Sequence, residues 1–239
     1  GKTETAKTVA KLCFDNKIHI IDMTSFKGDA DVSRLVGGSP NYVGYSDRND
    51  FLDFIDNNVS GVLLFDEIEK ASKGCLDLLL RMFDEGEIID AKSHTHSVKN
   101  MVIFCTTNLT QDQMYLDDCP IEERLTLGKY ALRKEFVGRF DNVVEYKHLG
   151  KDACKEITQN ILDKSIQKFS KQTKYNIGIK YDDGLVNKII KNANMELFGA
   201  RGIKTAVQNI FINPVSEYII TNDIKDTTIF VKENQIINN

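Results

Sequence analysis

Short apolar runs alternate with helical patterns along the first part of the chain. The runs are too short for helices and are rich in Val, Ile and Phe, which favours buried strands. They are Ile18 to Met23, Gly61 to Phe65, Met101 to Thr106 and Val143 to Tyr146. Helical periodicity covers Thr3 to Phe14 and Cys75 to Phe83. The alternation predicts an α/β domain with a parallel sheet and functional residues at the carboxyl ends of its strands.

The pattern changes near Lys151, where a long amphipathic helix is predicted to begin. Its apolar face consists of Ile157, Ile161, Leu162, Ile166 and Phe169. Two further helices, Asp182 to Met195 and Ala200 to Ile220, are flanked by the β-prone segments Ile177 to Tyr181 and Thr228 to Val231. We therefore predict a large α/β domain over residues 1–150 and a small, mostly helical domain over residues 151–239.

Composition restricts the class of protein. Among 239 residues, 41% are hydrophobic and 28% are charged, and no run reaches the roughly 18 apolar residues of a membrane span. Five scattered cysteines without a Cys-x-x-Cys pair favour neither a zinc ribbon nor a disulfide framework. We expect a cytoplasmic protein without a signal peptide. The net charge of -4 argues against extensive wrapping of nucleic acid by the protein, although it leaves room for a local basic channel.

The first residues, Gly1-Lys2-Thr3, are the last three positions of the phosphate-binding pattern G-x-x-x-x-G-K-S/T. In that pattern backbone N–H groups cradle phosphates, the lysine contacts the β and γ oxygens, and the hydroxyl binds Mg²⁺. Taken alone, the tripeptide is common by chance and is better explained as an ordinary helix start. We expect that the preceding positions of the pattern belong to a longer chain.

Two adjacent carboxylates, Asp66 and Glu67, follow the apolar run Gly61 to Phe65. This places both at the edge of the sheet where parallel α/β folds hold their ligands. Asp66 suits Mg²⁺ binding, and Glu67 suits activation of a water molecule. The alternative is an acidic cap on the next helix. The spacing from Gly1-Lys2-Thr3, which leaves room for one further βα unit, favours the nucleotide site.

The next apolar run ends in Thr106-Thr107-Asn108. This order brings the amide of Asn108 beside the end of the strand that carries Asp66 and Glu67. A γ-phosphate and its attacking water would lie there, so we interpret Asn108 as a candidate sensor of the nucleotide. An ordinary turn with a helix cap is the alternative.

Several segments, in the same order along the chain, resemble the AAA+ Clp unfoldases, in particular the second ATPase module of ClpA- and ClpB-type chaperones. The resemblance extends over nearly the whole chain. It rests on Ile21-Asp22-Met23, Val32 to Gly37, Pro40 to Tyr45, Asp66 to Ala71, Phe136 to Asp141, Phe198 to Arg201 and Asn213-Pro214. The sequence departs from the family pattern at Asn41, Lys134 and Gly138.

The resemblance implies a large AAA+ P-loop ATPase domain followed by a small α-helical lid, with ATP and Mg²⁺ as ligands. Gly1, Lys2 and Thr3 would bind the phosphates, and Thr3 and Asp66 would hold Mg²⁺. Glu67 would be the catalytic base and Asn108 the first sensor. Arg139 would be an arginine finger that reaches a neighbouring subunit, and Arg201 a second sensor that also binds nucleotide. For either arginine, a surface salt bridge is the alternative.

Tyr42 and Val43 fall in the segment that resembles the substrate-gripping pore loop of the family. An aromatic side chain among glycines can contact any extended polypeptide without selecting its sequence. The alternative is a buried turn. A second pore loop is predicted at Asp90 to Ser97, where His94 and His96 alternate. A metal pair is the less favoured interpretation of these histidines, because a third ligand is lacking.

The function implied by the resemblance is an ATP-driven motor that threads unfolded or aggregated protein through a homo-oligomeric ring, by resemblance a hexamer. One alternative is an ATP-binding oligomeric switch that translocates nothing. Another is an AAA+ motor on nucleic acid, which is disfavoured because residues 37–45 contain no Lys or Arg. A peptidase partner is not favoured, since the nearest docking tripeptide, Leu127-Gly128-Lys129, ends in a charge.

Overall fold

The computed structural model describes residues 1–38, 49–109, 119–147, 149–172, 175, 177–195, 199–233 and 235–238. The chain divides into two compact units, Gly1–Tyr146 and Lys147–Asn239. Each unit has its own hydrophobic core.

The first unit is built on a parallel sheet. The strands of this unit are β1 (Ile18–Asp22), β2 (Gly61–Asp66), β3 (Glu87–Ile89), β4 (Thr95–Ser97) and β5 (Met101–Cys105). Strands β1, β2 and β5 pair in that order, all parallel, while β3 and β4 form a separate antiparallel hairpin. The central strand β2 is buried from Gly61 to Phe65, which explains its continuous apolar run. The predicted parallel sheet of an α/β domain is confirmed.

Helices surround this sheet. They are α1 (Lys2–Cys13), α2 (Ser33–Val36), α3 (Asp50–Asn57), α4 (Lys73–Glu85), α5 (Ile121–Arg124) and α6 (Lys134–Val137). The hydroxyl of Ser72 caps α4 by accepting the backbone N–H of Cys75. The same helix ends at Gly86, whose φ of 69° is in the left-handed region that glycine adopts readily. Both ends of α4 are therefore determined by local sequence.

An aromatic cluster joins α4 to the segment that begins with α6. Phe83, near the end of α4, lies 5.5 Å from Phe136 and 6.1 Å from Phe140, measured between ring centroids. Phe65 of β2 also contacts Phe83. Such ring pairs add to the stabilisation that burial provides. The segment from Phe136 to Phe140 is thus packed against α4, the helix that follows β2.

The second unit combines helices with a small mixed sheet. Its elements are α7 (Lys151–Gln172), β6 (Gly178–Tyr181), α8 (Asp183–Asn192), α9 (Ala200–Val207), α10 (Asn213–Thr221), β7 (Thr228–Val231) and β8 (Ile236–Asn238). β6 pairs with β7 in parallel, and β8 pairs with β7 antiparallel. The predicted apolar face of α7 contributes to the core, with Leu162 fully buried. A small helical domain is confirmed.

Two predicted elements differ in the structure. Val143 to Tyr146 is not a strand in the structure, since it pairs with no strand among the described residues. The hydroxyl of Tyr146 instead donates to Thr5 Oγ1 over 2.5 Å. The helix predicted over Ala200 to Ile220 is interrupted by a π-helical turn, Gln208–Ile212. Pro214, which lacks a backbone N–H, follows this turn and is compatible with such an interruption.

Among the described helices, none combines the length and the apolar composition that crossing a bilayer requires.

Two helical leucines with opposite environments test the packing of the first unit. Leu79 of α4 is fully buried, whereas Leu12 of α1 is 76% exposed. We expect Leu79→Ala to lower the free energy of unfolding by about 2–5 kcal/mol, since it removes buried apolar surface and leaves a cavity. Leu12→Ala is the matched control and should change it by less than about 0.5 kcal/mol. Urea denaturation measures both, and equal effects would contradict the described core.

Candidate active site

The first turn of α1 lies against the carboxyl end of β2. The hydroxyl of Thr3 is 3.3 Å and 3.5 Å from the two carboxylate oxygens of Asp66. The two residues are 63 positions apart in the sequence, so tertiary structure alone brings them together. Thr3 and Asp66 therefore form one polar centre, as the sequence predicts.

The spacing of these two side chains suits a divalent cation. Mg²⁺ binds oxygen at about 2.0–2.1 Å in octahedral geometry, which separates adjacent ligand oxygens by about 2.9 Å. The 3.3 Å between Thr3 Oγ1 and Asp66 Oδ1 is close to that separation. A hydroxyl and a carboxylate are also oxygen ligands of the type that Mg²⁺ prefers. The donor set thus fits the ion that the sequence analysis expects.

Lys2 brings a cation to the neighbouring strand end. Its Nζ donates a hydrogen bond to Asn108 Oδ1 over 2.7 Å. Lys2 is the first residue of α1, where backbone N–H groups and the helix dipole favour anions. An ammonium group, free N–H donors and a polar amide therefore meet at one edge of the sheet.

Thr106 connects the two strand ends, a role that the sequence analysis did not assign. This residue is buried, and its hydroxyl donates to Asp66 Oδ1 and accepts the backbone N–H of Glu67 over 3.1 Å. Its own N–H donates to the carbonyl of Phe65 over 2.9 Å. In the sequence, the signal for this role is a threonine at the end of a predicted strand. The hydroxyl fixes the orientation of Asp66 relative to Glu67.

Glu67 occupies an unusual backbone conformation. Its φ of 56° and ψ of 53° are in the left-handed region, which costs free energy for a residue with a side chain. The hydrogen bond from its N–H to Thr106 and the 3₁₀ turn that follows, Ile68–Lys70, hold it there. A 3₁₀ turn therefore begins directly after Glu67, one residue past the end of β2, and Glu67 is partly exposed.

Glu69 is a second residue that the sequence analysis did not identify as part of the site. Its side chain lies in the interior, with 8% of the residue exposed. Its Oε1 accepts the backbone N–H of Asn108 over 3.3 Å, while Oε2 has no hydrogen-bond partner among the described residues. A carboxylate that is buried by tertiary structure leaves no periodic signal in the sequence.

No described contact joins Arg139 to these side chains, and Arg201 belongs to the second unit. Arg139 is exposed after α6 and pairs with Asp84 at the end of α4, with Nη2 3.2 Å from Oδ2. Arg201 belongs to the second unit, where it is exposed in the first turn of α9. The trans role of Arg139 and the sensor role of Arg201 stay predictions.

Tyr42 and Val43 lie outside the described residues. The segments on either side of residues 39–48 are joined by Asn49. The side-chain amide of Asn49 donates to the carbonyls of Arg34 and Leu35, at 3.3 Å and 3.1 Å. Its Oδ1 accepts two backbone N–H groups of α3 as a helix cap. Asn49 therefore joins the end of α2 to the start of α3, on the two sides of residues 39–48.

The predicted second pore loop, Asp90 to Ser97, forms the turn and second strand of the β3–β4 hairpin. The N–H of Ala91 donates to the carbonyl of Val36 over 2.8 Å. Nδ1 of the buried His96 lies 2.7 Å from Asp56 Oδ1 of α3. The hairpin thus contacts both α2 and α3, the helices that flank residues 39–48.

The turn of this hairpin is organised by one carboxylate. Burial raises the pKa of Asp90, but hydrogen bonds from the backbone N–H groups of His94 and Lys92 outweigh it, so the pKa is below its ordinary value. His94 Nδ1 lies 3.2 Å from Asp90 Oδ2 and is mostly exposed. Within the described part of the chain, no three His, Cys, Asp or Glu side chains are grouped to hold a metal.

Comparisons with known proteins agree with this architecture. Residues 1–143 match the family described as "AAA domain (Cdc48 subfamily)". Residues 149–231 match the "C-terminal, D2-small domain, of ClpB protein".

Curated relatives include chaperones of the Clp type. The chain is 31% identical to the chaperone protein ClpB of Gloeobacter violaceus, with 97% of this chain and 27% of the relative covered. It is 33% identical to ClpB of Mycoplasma pneumoniae, with 98% and 33% covered. It is 32% identical to the ATP-dependent Clp protease ATP-binding subunit ClpL of Staphylococcus aureus, with 99% and 34% covered.

The chain spans about a third of the length of these relatives, between 27% and 34%. The match to the AAA domain covers more than half of the chain, and it ends shortly before the match to the small domain begins. The chain therefore belongs to the AAA+ family, in its Clp-type branch, with an AAA domain followed by a small domain of the ClpB D2 type.

Proposed function

We propose that the chain is an ATPase module of a protein-unfolding motor, in which ATP hydrolysis at the carboxyl edge of the sheet drives movement of polypeptide. One observation carries the proposal. Lys2, Thr3, Asp66 and Asn108 converge at the start of α1, with two hydrogen-bonded pairs 2.7 Å and 3.3 Å long. A cation, a metal-ligand pair and a polar amide at a helix N-terminus suit a nucleoside triphosphate with Mg²⁺.

Each side chain then has a distinct task. Lys2 binds β and γ phosphate oxygens, for which it leaves Asn108 Oδ1. Thr3 and Asp66 would hold a metal ion, which would supply positive charge to offset that of the phosphates. Glu67 accepts a proton from the attacking water, and Asn108 orients that water. Thr106 keeps Asp66 and Glu67 in a fixed relation through its two hydrogen bonds.

The two arginines would complete the site in an assembled ring. Arg139 is exposed on the surface of the first unit, where a neighbouring subunit could approach it. Arg139 pairs with Asp84 on the surface. Breaking this pair to bind a phosphate would cost little free energy, since exposed ion pairs contribute little stability. We propose that Arg139 contacts the γ-phosphate held by a neighbour in a homo-oligomeric ring, by family resemblance a hexamer. Arg201 would sense the nucleotide of its own subunit.

The proposal that the module threads polypeptide is supported by the elements that flank residues 39–48. Asn49, Val36 and Asp56 tie α2, α3 and the β3–β4 hairpin together. A loop attached to this frame would move with it when the nucleotide site changes. Tyr42 on that loop would grip unfolded or aggregated protein chains through nonspecific aromatic contacts. We place this activity in the cytoplasm.

A first experiment tests hydrolysis. Glu67→Gln should leave nucleotide affinity within about twofold of the original value, because the metal and phosphate ligands remain. The hydrolysis rate should fall by about 10²-fold or more, since the general base is lost. Glu85→Gln, an exposed acid at the end of α4, is the matched control and should retain activity. ATPase assays of the ring-forming protein decide the matter, and near-normal turnover of Glu67→Gln would remove it from the base role.

A second experiment separates the motor from an ATP-driven switch. Tyr42→Ala should abolish unfolding of a tagged fluorescent substrate while ATP hydrolysis stays within about threefold, because the nucleotide site is untouched. Tyr175→Ala, at an exposed position of the second unit, serves as the control for loss of a surface tyrosine. Unfolding that survives Tyr42→Ala would favour the switch that translocates nothing.

A further inference from the structure

We propose that Glu69 is a positioning residue that acts on hydrolysis through Asn108. The inference rests on the proposed function, because it assigns to Glu69 a task in the same site. No described hydrogen bond joins the Glu69 side chain to Lys2, Thr3 or Asp66. Glu69 holds the main chain of the residue whose amide faces Lys2.

The contacts of Glu69 join the two turns that form the site. Glu69 lies in the 3₁₀ turn that follows the left-handed Glu67. The N–H of Ile68, one residue earlier, donates to the carbonyl of Thr106 over 3.0 Å. Glu69 Oε1 then accepts the N–H of Asn108 over 3.3 Å. The segment from Thr106 to Asn108 is thereby held at two points, two residues apart, by the turn that carries Glu67.

This second attachment determines what Asn108 can do. Its side-chain oxygen is 2.7 Å from Lys2 Nζ, and Asn108 itself is exposed at the rim of the site. The hydrogen bond to its main chain is what limits the rotation of the peptide that bears this side chain. Without Glu69, the amide would remain near the nucleotide but would sample several orientations. Productive geometry for the attacking water would then be less populated.

The burial of Glu69 argues that stability alone does not explain a carboxylate at this position. Only 8% of the residue is exposed, and Oε2 is buried with no hydrogen-bond partner among the described residues. Such an oxygen carries a desolvation cost that an apolar side chain of similar size would avoid. The one described hydrogen bond that Oε1 accepts, from the N–H of Asn108, is therefore set against an unfavourable burial. This is the pattern expected of a residue that serves function at the expense of stability.

Two substitutions separate positioning from packing. Glu69→Met is similar in length and removes both oxygens, so the melting temperature should be equal to or above that of the original protein. Its kcat for ATP hydrolysis should fall tenfold or more, while the dissociation constant for ATP stays within about twofold. Glu69→Gln keeps an oxygen that can accept the Asn108 N–H and should retain kcat within about threefold.

A double-mutant cycle identifies the route of the effect. If Glu69 acts through Asn108, adding Glu69→Met to Asn108→Ala should lower kcat by less than twofold, because the positioned side chain is already absent. The same tenfold loss in both backgrounds would overturn the proposal. An unchanged kcat in Glu69→Met alone would overturn it as well. All rates are measured by single-turnover hydrolysis in the ring-forming protein.

Other outcomes are also decisive. If Glu69→Met does not fold, Glu69→Leu takes its place, and failure of both to fold would overturn the proposal in favour of a structural role. Normal hydrolysis in both Glu67→Gln and Asn108→Ala would remove the proposed ATPase site itself. Impaired hydrolysis in those two variants together with a normal Glu69→Met would remove only the positioning role of Glu69.

Discussion

The hydroxyl of Thr106 is the contact on which the site depends. It binds both Asp66 and Glu67, and it comes from the end of the neighbouring strand of the sheet. The parallel register of β2 and β5, in which Phe65 lies opposite Cys105, delivers it there. Register errors of one residue would point the hydroxyl to the other face. The buried core of β2 therefore determines the chemistry at its end.

The polar groups of the site satisfy one another by hydrogen bonds that ligands would replace. Lys2 donates to Asn108, and Thr3 donates to Asp66. Both donors lie in the first turn of α1, where the backbone N–H groups have no acceptor within the helix. Binding of a triphosphate with its metal ion would exchange these internal contacts for charge-assisted ones, which are stronger. On the proposed function, the side chains that would bind these ligands already lie together in their absence.

The sequence predicted the parts of this arrangement that local pattern encodes. A buried apolar run followed by Asp66 and Glu67 locates a strand and the edge at which it ends. Val143 to Tyr146 has the same β-prone composition but no partner strand among the described residues, so composition alone misled. Glu69 escaped prediction because its burial arises from packing rather than periodicity. The pairing of Arg139 with Asp84 joins residues 55 positions apart, which no local pattern reports.

The central claim is that nucleotide and metal bind where α1 meets the ends of β2 and β5. A cryo-electron microscopy structure of the protein with Mg²⁺ and a slowly hydrolysed ATP analogue tests it most directly. We expect the metal ion about 2.1 Å from both Thr3 Oγ1 and an oxygen of Asp66. Lys2 should have moved from Asn108 to the phosphates. A nucleotide bound elsewhere, or phosphates in contact with neither Lys2 nor Thr3, would contradict the account.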